Sequence, residues 1–227
     1  MERERVLAGF RAEAAELAAR MAELTEAEFD RPTPCEPWTV RELLVHVCNA
    51  VDRVEAWLAR PEPEAVDTDA VRYYRPDQRF APESNAARVA DAERGAADFA
   101  GGAAVAAHFD AVWRATYDLV TAQPDGRRIG TRWGDGMLLT EFMVTRVAEV
   151  VLHGLDLAIG LGRAPWTTDE GGDVVETLLL TAGGADVVRD LDWTRPVFLA
   201  KATGRIPMTE EETEMVRERG VRWITLG

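Results

Sequence analysis

In the stretch RVAEVVLHGLDLAIGLG, Arg146 to Gly162, a carboxylate at Glu149 and an imidazole at His153 stand one helical turn apart among valines and leucines. The chain has only three histidines, His46, His108 and His153. A carboxylate and an imidazole inside a core must be compensated, because leaving either unpaired costs on the order of several kcal/mol. A shared metal ion is one solution. Glu and His at this spacing can aim at a single ion, and a third ligand then comes from another helix, for which His46 is the best-placed residue. Two imidazoles and one carboxylate leave a coordination position open, and they suit zinc, nickel, iron or manganese to different degrees. The plain alternative is a hydrogen-bonded pair in a core, since such spacing also arises by chance. His108, in AVAAHFDAVW, reads as a helix-border residue or a group at the edge of the site, and Asp156 as a helix-end residue or one that orients a ligand. Cys35 and Cys48 read as small packing residues, because neither neighbours a recognisable base.

The elements that must position these residues follow from periodicity. Phe142, Thr145, Glu149, Leu152, His153 and Asp156 fall on one side of a helix from about Leu138 to Gly160 whose other faces are apolar. A helix with one narrow polar stripe is expected to be internal, its stripe facing a partner helix or a cavity. His46 lies at the border of the buried face of a helix that Thr39 and Glu42 start as a capping box and that Pro61 and Pro63 end. Upstream, Val6, Leu7, Phe10, Ala14, Leu17, Met21 and Leu24 mark a first helix from about Arg3 to Leu24, and the prolines of TEAEFDRPTPCEPW predict a loop after it, with Trp38 packing that loop. Pro61 to about Pro82 reads as a long connection over the site with one helical turn. Helical pattern returns from Ser84 to Phe99, pauses at Gly101 and Gly102, and runs from Ala103 to about Gln123, ended by QPDG. A short extended piece precedes GDG. Further helices are expected over Asp173 to Thr181 and Glu210 to Arg219, the second with a capping box at Thr209 and Glu212, and VRWITL offers an extended end. The sum is a four-helix bundle with a mostly helical C-terminal extension.

Composition narrows the partners. A net charge of −14 argues against nonspecific binding to nucleic acid or to an anionic membrane. No window approaches the ~20 apolar residues of a membrane span, and the amphipathic N-terminus lacks the apolar core of a signal peptide. Two cysteines without a CxxC pair fit reduced thiols, so a cytoplasmic protein is expected. Lys201 is the only lysine among many arginines, as in proteins from GC-rich genomes.

TPCEPWTVRELLVHV (Thr33 to Val47) and TRVAEVVLHGLDLAIGLG (Thr145 to Gly162) resemble the two hallmark segments of the mycothiol-dependent maleylpyruvate isomerase family, within the DinB-like metal-binding superfamily. The resemblance covers roughly residues 1 to 162, with both segments in the right order and separation. It implies a mainly α chain, with a DinB-like four-helix metal-binding domain over 1–162 and a C-terminal extension over 163–227 packed on the bundle. It further implies that a divalent metal, zinc in most members, is held by His46, Glu149 and His153. The implied cofactor is mycothiol, the low-molecular-weight thiol of actinobacteria. It serves either as a catalyst that adds to and leaves a double bond, or as a group transferred to an electrophile. The partner is then a small electrophile or unsaturated acid, and the chain a monomer or homodimer. The best-known isomerases of the family carry a C-terminal αβ domain with a functional arginine, whereas residues 163–227 here are short. FLAKATGRIP resembles a segment of shorter relatives, which makes Arg205 the candidate for a catalytic anion contact, against its reading as a surface or capping arginine. The same scaffold is also compatible with thiol-independent hydrolase, lyase or cyclase chemistry, or with metal or small-molecule binding alone.

Overall fold

The computed structural model describes residues 1–74, 81–181 and 183–223. Helix α1 (Arg3–Ala22) buries Val6, Phe10, Ala14, Leu17 and Met21, one stripe at three- and four-residue spacing. The segment after it is not all loop. Thr25 and Glu28 form a capping box that closes a single turn, α2 (Glu26–Phe29), and Phe29 plugs the core. The prolines at 32, 34 and 37 then keep the chain out of helix until α3 (Val40–Leu58).

Among its described residues the proline-rich connection contains one turn, α4 (Ala70–Tyr73), capped by the Asp69 carboxylate, which accepts from the Arg72 N–H. Residues 75–80 of that connection lie outside the described residues. The glycines at 101 and 102 divide the alanine-rich region into two helices, α5 (Pro82–Ala97) and α6 (Gly102–Thr121). The extended piece before GDG becomes a small antiparallel hairpin of β1 (Arg128–Gly130) and β2 (Gly136–Leu138), with Ile129 opposite Met137. It leads directly into α7 (Leu139–Leu161), whose C-cap Gly162 has a φ of 64°, the left-handed conformation that ends a helix at little cost in glycine.

Four of these helices make the bundle. Both α1 and α3 pack against α6 and α7, so α1 and α3 occupy one diagonal and α6 and α7 the other. Phe10, Phe29, Phe109, Phe142, Leu43, Leu44 and Met143 fill the middle, each essentially free of solvent contact. Helix α7 is buried on nearly every face, as its apolar circumference requires, and it carries Thr145, Arg146 and Asp156 into the interior. α5 lies outside against α3, and α4 rests on α7.

Beyond α7 the described residues form α8 (Asp169–Leu180), α9 (Ala185–Asp190), α10 (Arg195–Ala202) and α11 (Glu210–Glu218). α8 packs on α1 and α7, and α10 lies over α8 and α7. The junction to α8 is polar and specific. The buried Glu13 carboxylate of α1 accepts from the Thr168 N–H and hydroxyl, both at 2.7 Å, and burial pushes that carboxyl up. Neither α9 nor α10 stands out from the periodicity, being six and eight residues long. Residues 221–223 form no strand, and the rest of VRWITL lies outside the described residues. Among the described residues no helix is long and apolar enough to cross a membrane.

Candidate metal centre

The direction of His46 is set by the start of α3. The Thr39 hydroxyl caps the Glu42 N–H, while the Glu42 carboxylate accepts from the Thr39 N–H at 2.8 Å. This reciprocal pair fixes the helix phase, and two turns later His46 faces α7. On α7, Glu149 and His153 share that face one turn apart. The three side chains converge: His46 Nε2 lies 3.5 Å and His153 Nε2 3.4 Å from the same oxygen, Glu149 Oε2. One ligand atom from each residue lies within 4.8 Å of the others. The imidazole rings meet edge to face, with centroids 5.0 Å apart.

Each member is held from behind. Trp38 stacks on His46 at 4.7 Å, so it is a wall of the site and more than packing for the loop. His153 Nδ1 lies 3.0 Å from Asp156 Oδ2, which fixes the ring and turns Nε2 toward Glu149. Asp156 is in turn clamped by Arg205, from the turn after α10, through Nη2 to Oδ2 and Nε to Oδ1, both at 3.0 Å. Arg205 Nε also donates to the Leu152 carbonyl at 3.3 Å, while its buried Nη1 has no hydrogen-bond partner among the described residues. Arg205 is therefore neither a surface nor a capping arginine.

Behind Glu149 sits a second interior cation. Arg146 donates to the Ala50 carbonyl at 2.8 Å and to the Thr145 hydroxyl, lies over the Phe142 ring, and reaches within 3.8 Å of Glu149 Oε1. Arg146 stands one turn before Glu149 on the same helix, and that spacing is the one signal in the sequence that marks it as a partner.

These contacts set the charge states. Burial alone would raise the Glu149 carboxyl, but hydrogen bonds from His153 and His46 and the Arg146 charge outweigh it and hold it well below the usual carboxylate range. Burial opposes a proton on His153, yet hydrogen bonds to Asp156, Cys35 and Glu149 dominate and raise it well above its usual range. At His46 burial wins and lowers the pKa. Asp156 is drawn down to about 2, because its bond to His153 and the Arg205 charge overcome its burial.

The group opens on a cavity of about 530 Å³, walled also by Cys35, Tyr74, Arg88 and Val89. Cys35 reaches this wall because the loop that carries it presses on the end of α7, where a side chain at Gly160 would meet the Pro32 carbonyl at 2.8 Å. Cys35, His153 and Asp156 also lie within 4.8 Å of one another. That alternative donor set is weaker, since both Asp156 oxygens are already engaged by Arg205. Cys48 is buried in the core with its thiol pushed up to about 12, and His108 is exposed on α6 beside Phe99.

Comparison with known proteins agrees with this architecture. Two uncharacterized proteins of Mycobacterium tuberculosis, from strains H37Rv and CDC 1551, are 36% identical over 74 residues, which is 32% of this chain. That match spans about a third of their length, 36%. The crystal structure of the mycothiol-dependent maleylpyruvate isomerase, and that of a histidine-to-alanine mutant of it, superpose with a TM-score of 0.50 at 19% identity. The superposition covers 83% of this chain and 70% of the isomerase, and at that identity it establishes the shared DinB-like helical fold. The sequence pattern described as the mycothiol maleylpyruvate isomerase N-terminal domain matches residues 10–158, and the chain belongs to that family.

Proposed function

We propose that His46, Glu149 and His153 hold one divalent metal, and that the protein uses it with mycothiol to isomerise or S-conjugate a small unsaturated acid. The observation that carries this reading is the convergence of two imidazole Nε2 atoms on one carboxylate oxygen at the wall of a ligand-sized cavity. The donor set fits a metal of the zinc type, and the Asp156 carboxylate behind His153 is the support that metal-binding histidines ordinarily have. A bound divalent metal lowers the pKa of a thiol that reaches it, supplying thiolate near neutral pH.

The chain's own residues do the rest. Asp156 fixes the His153 tautomer, and Arg205 fixes Asp156. Arg146 keeps Glu149 ionised from its far side. Trp38 and Tyr74 restrict water at the cavity wall and leave a surface for an unsaturated, planar substrate. Arg205 Nη1, which has no hydrogen-bond partner among the described residues, is the proposed contact for a substrate carboxylate.

Isomerisation and S-transfer share their first step, in which a carbon–sulfur bond forms as the π pair of the double bond moves onto the conjugated carbonyl; in isomerisation that pair returns after rotation and expels the thiolate, and in S-transfer the adjacent carbon takes up a proton and the sulfur stays. Family membership favours the isomerase. The test is a reaction of metal-loaded protein with mycothiol and small cis-unsaturated acids, following double-bond geometry by NMR and free thiol by titration. Catalytic change of geometry with thiol conserved supports isomerisation, and stoichiometric loss of thiol supports transfer. Turnover that is unaffected by omitting mycothiol overturns both.

A further inference from the structure

Beside Glu149 the site continues into a smaller lobe of about 80 Å³. Its lining is unusual for a chain of net charge −14: Arg53 of α3, Arg88 of α5, Arg132 of the hairpin turn and Arg146 of α7 converge on it from four separate elements. Among the described residues, one carboxylate approaches Arg146 and one approaches Arg53. Glu149 approaches Arg146 at 3.8 Å and is shared with both histidines. Asp91 lies 3.7 Å from Arg53 and also binds Arg94. Arg132 rests on the Trp133 ring and has no carboxylate partner among the described residues. The crowding is felt at Arg53, where burial together with the Arg132 and Arg146 charges lowers the pKa. Holding like charges this close in a half-buried lobe costs free energy unless an anion relieves it.

We propose that Arg53 and Arg132 form an oxyanion subsite that takes a carboxylate or phosphate at the far end of a planar substrate. Size supports an oxyanion here, since about 80 Å³ holds two to three waters at ~30 Å³ each and not a whole organic molecule. Trp57 and Trp133 also line the lobe, Trp133 beneath the Arg132 guanidinium, and supply apolar surface for the body that bears the anion. His46, Tyr74, Arg88 and Glu149 wall both the lobe and the larger cavity, so one molecule can reach from the proposed metal centre into the lobe. This deepens the proposed function and rests on it for the substrate's orientation. The anion subsite itself does not depend on the metal.

The probes are benzoate, phenyl phosphate and the neutral isostere benzamide, titrated into the full chain by tryptophan fluorescence at two salt concentrations, with and without a chelator. One or both anions should bind, more weakly at high salt, and the tighter of the two identifies the group the subsite takes. Arg132→Gln should weaken binding about ten-fold, the order supplied by one charge-assisted hydrogen bond. Arg132 is exposed, so this variant should fold normally. Arg53→Gln should act similarly, and Arg60→Gln, exposed just past the end of α3, should not. Equal binding of benzamide and benzoate overturns the proposal, as does unchanged affinity in Arg132→Gln or a loss confined to Arg205→Gln. Arg132-dependent binding in a protein that holds no metal contradicts the proposed function and leaves the subsite standing. A metal-loaded protein without such binding does the reverse.

Discussion

Asp156→Asn separates the two duties assigned to that carboxylate, holding Arg205 and orienting His153. The side chains of Asp156 and Arg205 are 2% and 8% exposed and meet through two contacts at 3.0 Å, so the pair is buried. Removing one partner of a buried pair typically costs about 3–5 kcal/mol, because the other charge is left without compensation. Asn keeps an oxygen that can accept from His153 Nδ1, and Arg205 keeps its bond to Leu152, which places the expected loss near the lower end, about 3 kcal/mol. For a chain of this size each kcal/mol lowers the melting temperature by roughly 2–4 °C. Metal affinity should fall separately, about 10–100-fold, since the imidazole loses an anionic partner on its far nitrogen. Urea unfolding in the presence of chelator measures the first effect free of metal linkage, and competition with a chromogenic chelator measures the second. The double variant Asp156→Leu with Arg205→Met divides them, because apolar replacement of a whole buried pair is often neutral to within about 1 kcal/mol. Stability should recover while metal affinity stays low. Metal affinity in Asp156→Asn within about two-fold of the parent would refute the orienting role.

Gly102→Ala is expected to destabilise by about 1–3 kcal/mol, because the new methyl would sit 2.0 Å from the Phe29 ring in a fully buried position, and thermal unfolding should show it. Thr39→Ala removes the cap of α3 and should cost about 1 kcal/mol in urea unfolding, with a parallel weakening of metal binding because α3 aims His46. Glu212 is drawn down to about 2 by Lys201, the Thr209 N–H and the Trp193 indole, against an ordinary value of 4.5. A depressed carboxyl stabilises the fold fully above the unfolded value and loses that contribution as pH falls from about 4.5 toward about 2. Tryptophan emission should therefore report loosening around Trp193 in that window, and Glu212→Gln should flatten the acid transition; an unaltered transition in the variant contradicts the assignment.

What the sequence disclosed and what it concealed have physical causes. Long amphipathic stripes such as Val6 to Met21, and capping boxes such as Thr39 with Glu42, are local signals, and α1, α3, α7 and α11 begin close to where those signals place them. The single turn α2 was hidden because its capping box, Thr25 with Glu28, sits next to three prolines that argue for loop. α9 and α10 are too short for a period to declare itself. At the site, Glu149 and His153 were legible because helical spacing brings them together. Cys35, Trp38 and Arg88 meet them only through contacts across the chain. The buried role of Arg205 was equally invisible, because its partner Asp156 is 49 residues away. The arginine lobe needs four separate elements to converge, which no local pattern encodes.

Metal content per chain, measured by elemental analysis of the purified protein and of Glu149→Gln and His153→Ala, bears most directly on the proposed centre. The expected result is about one divalent metal per chain in the parent and a small fraction of that in both variants, with helical circular dichroism retained. A parent free of metal that still turns over substrate with mycothiol, or variants that keep their full metal, would contradict the assignment of His46, Glu149 and His153 as its ligands.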